Sequence, residues 1–203
     1  MDIDDRRNIH LYQSLLTKHG DSYKALDWGS RESQIRRFEV LTDIGMIAGD
    51  HILDVGCGLA DLNAWLIENK PGIKYSGIDL TPNMTKKAKA RFPDTSIENK
   101  TVFDLDTTIE IYDYVVASGI FVFRKDGPER YLCSTVQKMF EICKKGVAFN
   151  SLSSWAKMKS SNEYYADPLR VIEFSKNLTS TFVLRHDYHV GDFTVFLYKE
   201  GLS

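Results

Sequence analysis

The sequence predicts a doubly wound α/β domain on a mostly parallel sheet, and three observations carry that reading. From residue 50 onward, short apolar runs alternate with stretches of helical periodicity, the pattern of parallel strands covered on both faces. One junction, "ILDVGCGLADL" at 52–62, is an apolar run that ends in an acid, breaks into two glycines and resumes as a helix. The chain then closes on two strand-like runs, "STFVLRHD" and "DFTVFLYK", separated only by "YHVG". A parallel crossover needs about a dozen residues or more, so these last two strands are expected to pair as an antiparallel hairpin.

The elements follow in order. Ile9, Tyr12, Leu15 and Leu16 recur at helical spacing before Gly20, and Ile35, Phe38, Leu41 and Ile44 repeat the pattern between Ser33 and Gly45, residues suited to start and stop a helix. The loop between them, "GDSYKALDWGS", carries an exposed-looking Trp28. After it come a strand at "HILDVG", a helix at "ADLNAWLIENK", a strand at "IKYSGIDL" and a helix at "PNMTKKAKARF". Thr81 is placed to cap that last helix, with Pro82 at its first position, where a missing N–H costs nothing. Strands are expected at "NKTVFDL", "YDYVVASGI" and "GVAFNSLS", with helices over 128–144 and from Asp167-Pro168 to Asn177. At 203 residues and 43% hydrophobic, the chain is expected to form one domain over 1–203, with a helical cap at 1–48 and an α/β core at 49–203.

Composition narrows the function classes. With 26 basic and 28 acidic side chains, no overall field favours a polyanion, and "KKAKAR" reads as the solvated face of a helix, so no nucleic-acid partner is expected. The three cysteines, Cys57, Cys133 and Cys143, show no repeated spacing, and the five histidines do not pair with them as metal ligands, so neither a disulfide framework nor a metal site is expected. The opening "MDIDDRRNIH" is charged, and no run reaches the about 18 apolar residues of a membrane span. A cytoplasmic protein with no membrane partner is the expectation.

Three ligands compete for the glycine loop. A nucleoside triphosphate requires G-x-x-x-x-G-K-[ST], which is missing. A dinucleotide uses G-x-G-x-x-G. Gly56 and Gly58 fill its first two places, but the third is Asp61, an acid that would repel a pyrophosphate at the helix N-terminus. S-adenosylmethionine carries no phosphate. It needs close main-chain approach, which glycine permits, and an acid for the ribose diol; Asp79 stands 23 residues after Gly56, near the expected spacing of about 20.

With these residues in place, the chain resembles the class I S-adenosylmethionine-dependent methyltransferases over roughly residues 30–200. "LDVGCGLADL" is similar to the family's first motif, D-x-G-x-G-x-G, at Asp54, Gly56, Cys57 and Gly58, with Ala60 where a third glycine is common. "GIDLTPNM" resembles the second, implying that Asp79 holds the ribose while Leu80 and Met84 flank the adenine. "FDLD" resembles the third, implying Asp104 as acceptor for the adenine amino group and Leu105 as a backbone contact. "YDYVVASGIF" is similar to the fourth strand, whose end at Ser118 and Gly119 would lie beside the methionine part of the cofactor. The resemblance also implies a Rossmann-like seven-stranded sheet with an antiparallel last strand and N-terminal helices.

Methyl transfer from a sulfonium needs alignment and exclusion of water, and a base only where the acceptor carries a proton. No catalytic residue is named from the sequence. Candidates for the acceptor pocket are Trp28 in "WGSRESQIRRF", Tyr164 and Tyr165 in "SNEYYADP", and His186 in "RHDYH". Arg37 can pair bidentately with the cofactor carboxylate or serve as an ordinary surface charge on its helix. A "[DNS]-P-P-[YFW]" stretch and a double-glutamate loop are missing after the fourth strand, where "SGIFVFRKDG" stands, and no magnesium-binding acid cluster is evident in the sequence. That leaves methyl transfer to an oxygen or nitrogen of a small molecule. A non-catalytic module binding S-adenosylmethionine or S-adenosylhomocysteine, and an NAD-dependent oxidoreductase, remain as alternatives.

Overall fold

A computed structural model describes residues 3–106, 108, 112–123 and 126–199. Helices α1 (Ile3–His19) and α2 (Arg31–Thr42) come first, joined by a 3-10 turn at Tyr23–Leu26. Strands and helices then alternate as β1 (His51–Val55), α3 (Asp61–Asn69), β2 (Lys74–Ile78), α4 (Pro82–Arg91), β3 (Ser96–Glu98), β4 (Tyr112–Ala117), α5 (Pro128–Ile142), β5 (Cys143–Leu152), α6 (Pro168–Leu178), β6 (Phe182–Arg185) and β7 (Asp192–Tyr198). The seven strands lie in the order β3-β2-β1-β4-β5-β7-β6. β7 is antiparallel to both of its neighbours, and the other pairings are parallel. The short terminal connection therefore produces the reversed last strand that its length requires.

Strand side chains alternate between two cores, as a period of two residues demands. Leu53, Val55, Val115, Ala117, Val147 and Phe149 point to the face covered by α5 and α6, where Leu132, Val136, Met139 and Val171 meet them. Ile52, Tyr114, Val116 and Ala148 point the other way, to Phe38, Leu41, Leu62 and Ala88 from α2, α3 and α4. These strands are apolar on both faces because both faces are covered. Among the described residues no helix is long and apolar enough to cross a membrane.

Several local expectations are corrected. The helix expected to begin at Ser33 begins earlier, because the Ser30 hydroxyl accepts from the Ser33 amide and caps α2. The strand expected at "NKTVFDL" is displaced to Ser96–Glu98, and Val102–Asp104 is a 3-10 turn. There Asp104 accepts from the Thr101 amide and hydroxyl, a capping arrangement that competes with a sheet ladder. α4 starts at Pro82 as expected, yet the Thr81 side chain makes no capping bond. Trp28 is half-buried rather than exposed.

Two buried polar contacts tie the elements together. Arg37 of α2, 7% exposed, is ion-paired with Asp192 of β7, 1% exposed, and donates to the Ser33 carbonyl at 2.8 Å. Asp54 of β1 accepts from the Tyr75 hydroxyl of β2 at 2.7 Å. Burial pushes the Asp54 carboxyl up to about 7; the Tyr75 bond opposes the rise, and the Asp79 and Asp61 carboxylates add to it.

Removing one partner of a buried pair strands the other charge, so Arg37→Ala is expected to cost about 3–5 kcal/mol in urea unfolding. A loss below about 1 kcal/mol would contradict a desolvated pair. Asp54 gives a pH test. Its folded pKa lies above the unfolded value of about 3.9, so the folded state holds the extra proton, and the stabilisation present below pH about 4 is lost as pH rises towards about 7. Asp54→Asn removes that dependence, and its stability relative to the native chain is expected to rise by about 1–4 kcal/mol between pH 4 and 8. Parallel stability curves would refute the shift.

Candidate functional site

Strand order reverses between β1 and β4, and a crevice opens beyond the carboxyl ends of the strands at that point. It holds a cavity of about 800 Å³. The floor begins with the turn after β1. The amides of Gly56 and Cys57 both donate to the Ile78 carbonyl, at 2.8 and 3.0 Å, which ties this turn to the end of β2. Gly56 lies at φ +75° and Gly58 at φ +54°, where a Cβ is strained. Space is closed as well: a Cβ on Gly56 would stand 2.3 Å from Ile120 Cγ2, and one on Gly58 2.6 Å from Leu26 Cδ2. Ala60, the residue without the family's third glycine, takes the left-handed conformation at φ +57° all the same.

Asp79 follows β2 and lines the cavity. Its Oδ2 accepts from the Gly58 amide at 2.9 Å and its Oδ1 from the Thr81 amide at 2.7 Å. Burial raises its pKa, while these amides hold it down, so the carboxylate is fixed in place with lone pairs left over. Beside it, Leu80, Met84 and Val102 form an apolar slot. Asn99 donates to the Asp79 carbonyl at 2.8 Å, and Thr101 lines the slot's edge. Sequence reasoning missed Asn99, Thr101 and Val102; the T-x-x-D capping signature at 101–104 was the available signal. Asp104 is exposed at the cavity rim, with one carboxylate oxygen engaged by Thr101.

Past β4, Ser118 and Gly119 line the cavity next to Trp28. The buried Asn150 of β5 secures this turn: its Oδ1 accepts from the Gly119 amide at 2.9 Å and its Nδ2 donates to Ser118 Oγ at 3.0 Å. Asp5, Asn8 and Tyr12, from one face of α1, and Arg130 and Tyr131 of α5 also line the cavity. α1 is pinned there by Asp4, which accepts from the Asp126 amide at 2.9 Å. Burial, and then the Asp79 and Asp27 charges, raise the Tyr12 pKa above that of a free phenol.

The other sequence candidates sit elsewhere. Asp54 is behind the glycine turn on Tyr75, Cys57 is buried against Gly77, and Leu105 is packed on the core; none lines the cavity. Arg37 faces Asp192 and the Trp28 ring. Tyr164 donates its amide to the Val122 carbonyl, Tyr165 directs its hydroxyl to Glu163, and His186 shares a 2.8 Å hydrogen bond with Ser153 while stacking on Trp155. These three are not among the residues that line the cavity. Arg124 and Lys125 of "SGIFVFRKDG" lie outside the described residues.

The site's chemistry distinguishes among the ligands. Asp61, at the start of α3, accepts from Gln34 at 3.1 Å and Arg91 at 2.8 Å, so these donors are engaged with a carboxylate. The Gly58 amide is likewise directed to Asp79. At the glycine turn itself the Gly56, Cys57 and Gly58 amides are all directed to protein oxygens, so the turn does not present them to a pyrophosphate. A fixed carboxylate, a glycine turn and an apolar slot fit a nucleoside whose tail carries a sulfonium.

Comparisons with known proteins agree with this chemistry. Residues 53–149 match the family model described as a methyltransferase domain. Rv1506c of Mycobacterium tuberculosis, which carries the name of a methyltransferase, is 31% identical over 158 residues, covering 73% of this chain and 92% of its own. The malonyl-[acyl-carrier protein] O-methyltransferase of Acetivibrio thermocellus is 24% identical over 141 residues, 69% of this chain; the match spans 47% of that relative, about half its length. In fold, the magnesium protoporphyrin IX methyltransferase of Synechocystis, solved with bound S-adenosylmethionine, superposes with a TM-score of 0.66 at 10% identity over 97% of this chain and 98% of that one. By its motifs, its sheet and these relatives, the chain belongs to the class I S-adenosylmethionine-dependent methyltransferase superfamily.

Proposed function

We propose that this protein transfers a methyl group from S-adenosylmethionine to an oxygen or nitrogen atom of a small molecule. The observation that carries the reading is Asp79, a carboxylate fixed by two main-chain amides at the mouth of the glycine turn. Held this way, it can accept both hydroxyls of a ribose without reorganising. Leu80, Met84 and Val102 offer a flat apolar slot for a base, with Asp104 and Thr101 at its polar rim. Gly56 and Gly58 leave the main chain bare towards the ligand's tail, and Ser118 borders the same space. S-adenosylmethionine, when bound, supplies a methyl group made electrophilic by a positively charged sulfur.

The remaining walls suit a second, smaller molecule. Residues of α1 and α5 both line the crevice, where they can restrict an acceptor's approach and limit water. Tyr12 and Asn8 can orient polar groups there, while Tyr12 and Phe123, edge-on with centroids 6.4 Å apart, form an aromatic wall. An oxygen acceptor is supported by the O-methyltransferase name of the Acetivibrio relative.

Calorimetry with S-adenosylhomocysteine and with NAD tests this reading. Heat is expected with the former alone. Asp79→Ala, which removes the charged acceptor of two hydroxyls, is expected to weaken binding by about a hundredfold. Gly56→Val is expected to weaken it as well, through the contact with Ile120. Heat with NAD and none with S-adenosylhomocysteine would reverse the assignment. Binding with no transfer of labelled methyl to any metabolite pool would instead favour a regulatory module.

A further inference from the structure

The crevice crosses the ends of three adjacent strands in the order β2, β1, β4. Neighbouring strands lie about 4.8 Å apart, so β2 and β4 are about 10 Å from each other. Asp79 stands at the β2 end, and the apolar slot opens on the side of β3 and the 3-10 turn at Val102–Asp104. A nucleoside held by its sugar at Asp79 with its base in that slot extends its 5′ substituent the opposite way, across the glycine turn towards β4. Trp28 closes the cavity at that far end. Its ring lies so near the turn after β4 that a Cβ on Gly119 would stand 2.9 Å from Cη2 and 3.0 Å from Cζ2.

The ring is held from outside the cavity. The Arg37 guanidinium carbon lies 4.8 Å from the Trp28 ring centroid. A lone guanidinium there would oppose any second cation near the same ring. Asp192, paired with Arg37 and 1% exposed, offsets that charge. Trp28 is half-buried and lines the cavity, so part of its indole is within reach of a ligand there. Indole is the side chain with the strongest attraction for a cation of this kind.

We propose that Trp28 recognises the positively charged sulfur of the cofactor through its indole ring, with Arg37 and Asp192 as the positioning pair. The ligand class is a sulfonium nucleoside, and the neutral thioether left after methyl transfer loses this attraction. Trp28 thus favours the charged cofactor over its product. The inference rests on the reading of the cavity as an S-adenosylmethionine site.

The test compares S-adenosylmethionine with S-adenosylhomocysteine, by calorimetry on the full chain, for the native protein, Trp28→Leu and Trp28→Phe. In Trp28→Leu, affinity for S-adenosylmethionine is expected to fall about fivefold more than affinity for S-adenosylhomocysteine, the size of one cation–π contact. Trp28→Phe, with a smaller π system in a similar shape, is expected to shift the ratio by about twofold. A ring that only fills space would change both affinities by the same factor, and an unchanged ratio in both variants overturns the proposal. If Trp28→Leu fails to fold, the Trp28→Phe ratio decides. Native protein that binds neither ligand would overturn the cofactor reading itself, a result distinct from binding with an unmoved ratio.

Discussion

The site depends on one main-chain contact. Gly56 and Cys57 direct their amides to the Ile78 carbonyl, and this joins the turn after β1 to the end of β2. Once that bond pair forms, the next residue after Ile78, Asp79, lies within reach of the Gly58 amide. The carboxylate and the glycine turn therefore organise each other. Side chains on Gly56 or Gly58 would meet Ile120 or Leu26, so the turn can take this shape only without them. A polar, fixed group next to an apolar slot follows from backbone geometry before any ligand is considered.

A second constraint acts from the other edge of the sheet. β7 runs against its neighbours, which brings its first residue, Asp192, to the end of the sheet where the parallel strands finish. Arg37 of α2 meets it there, and Trp28, in the segment that precedes α2, packs beside Arg37. Desolvating two charges is expensive and contributes little net stability, so the pair's clearest consequence is geometric. It fixes α2 against the start of β7 and holds Trp28 beside it. Asn150 does the equivalent from β5, holding Ser118 and Gly119 with both ends of its amide.

The buried acids divide by role according to what faces them. Asp54 lies against Tyr75 with little else to favour its charge, and its carboxyl rises to about 7. Asp79 is half-buried at the cavity, and burial raises its pKa as well, but the Thr81 and Gly58 amides donate to it and oppose the rise. Asp61 meets Arg91 and Gln34. Their positions in sequence, at the first motif, after β2 and at the start of α3, do not reveal this difference.

The sheet's character, the glycine turn, the acid after β2 and the reversed last strand are legible in the chain alone, because each is encoded within a few consecutive residues. Strand periodicity, glycine's tolerance of positive φ and a connection too short for a crossover are local facts. Where local signals compete the reading was weaker, as at Thr101–Asp104, where a capping arrangement displaced the strand. Only the packed chain shows that Arg37 meets Asp192, that Asn150 supports Gly119 and that His186 turns to Ser153. Each of these pairs joins segments far apart in the chain, and which side chains meet is fixed by how the helices and the β6–β7 edge pack, a property carried by no single stretch of sequence.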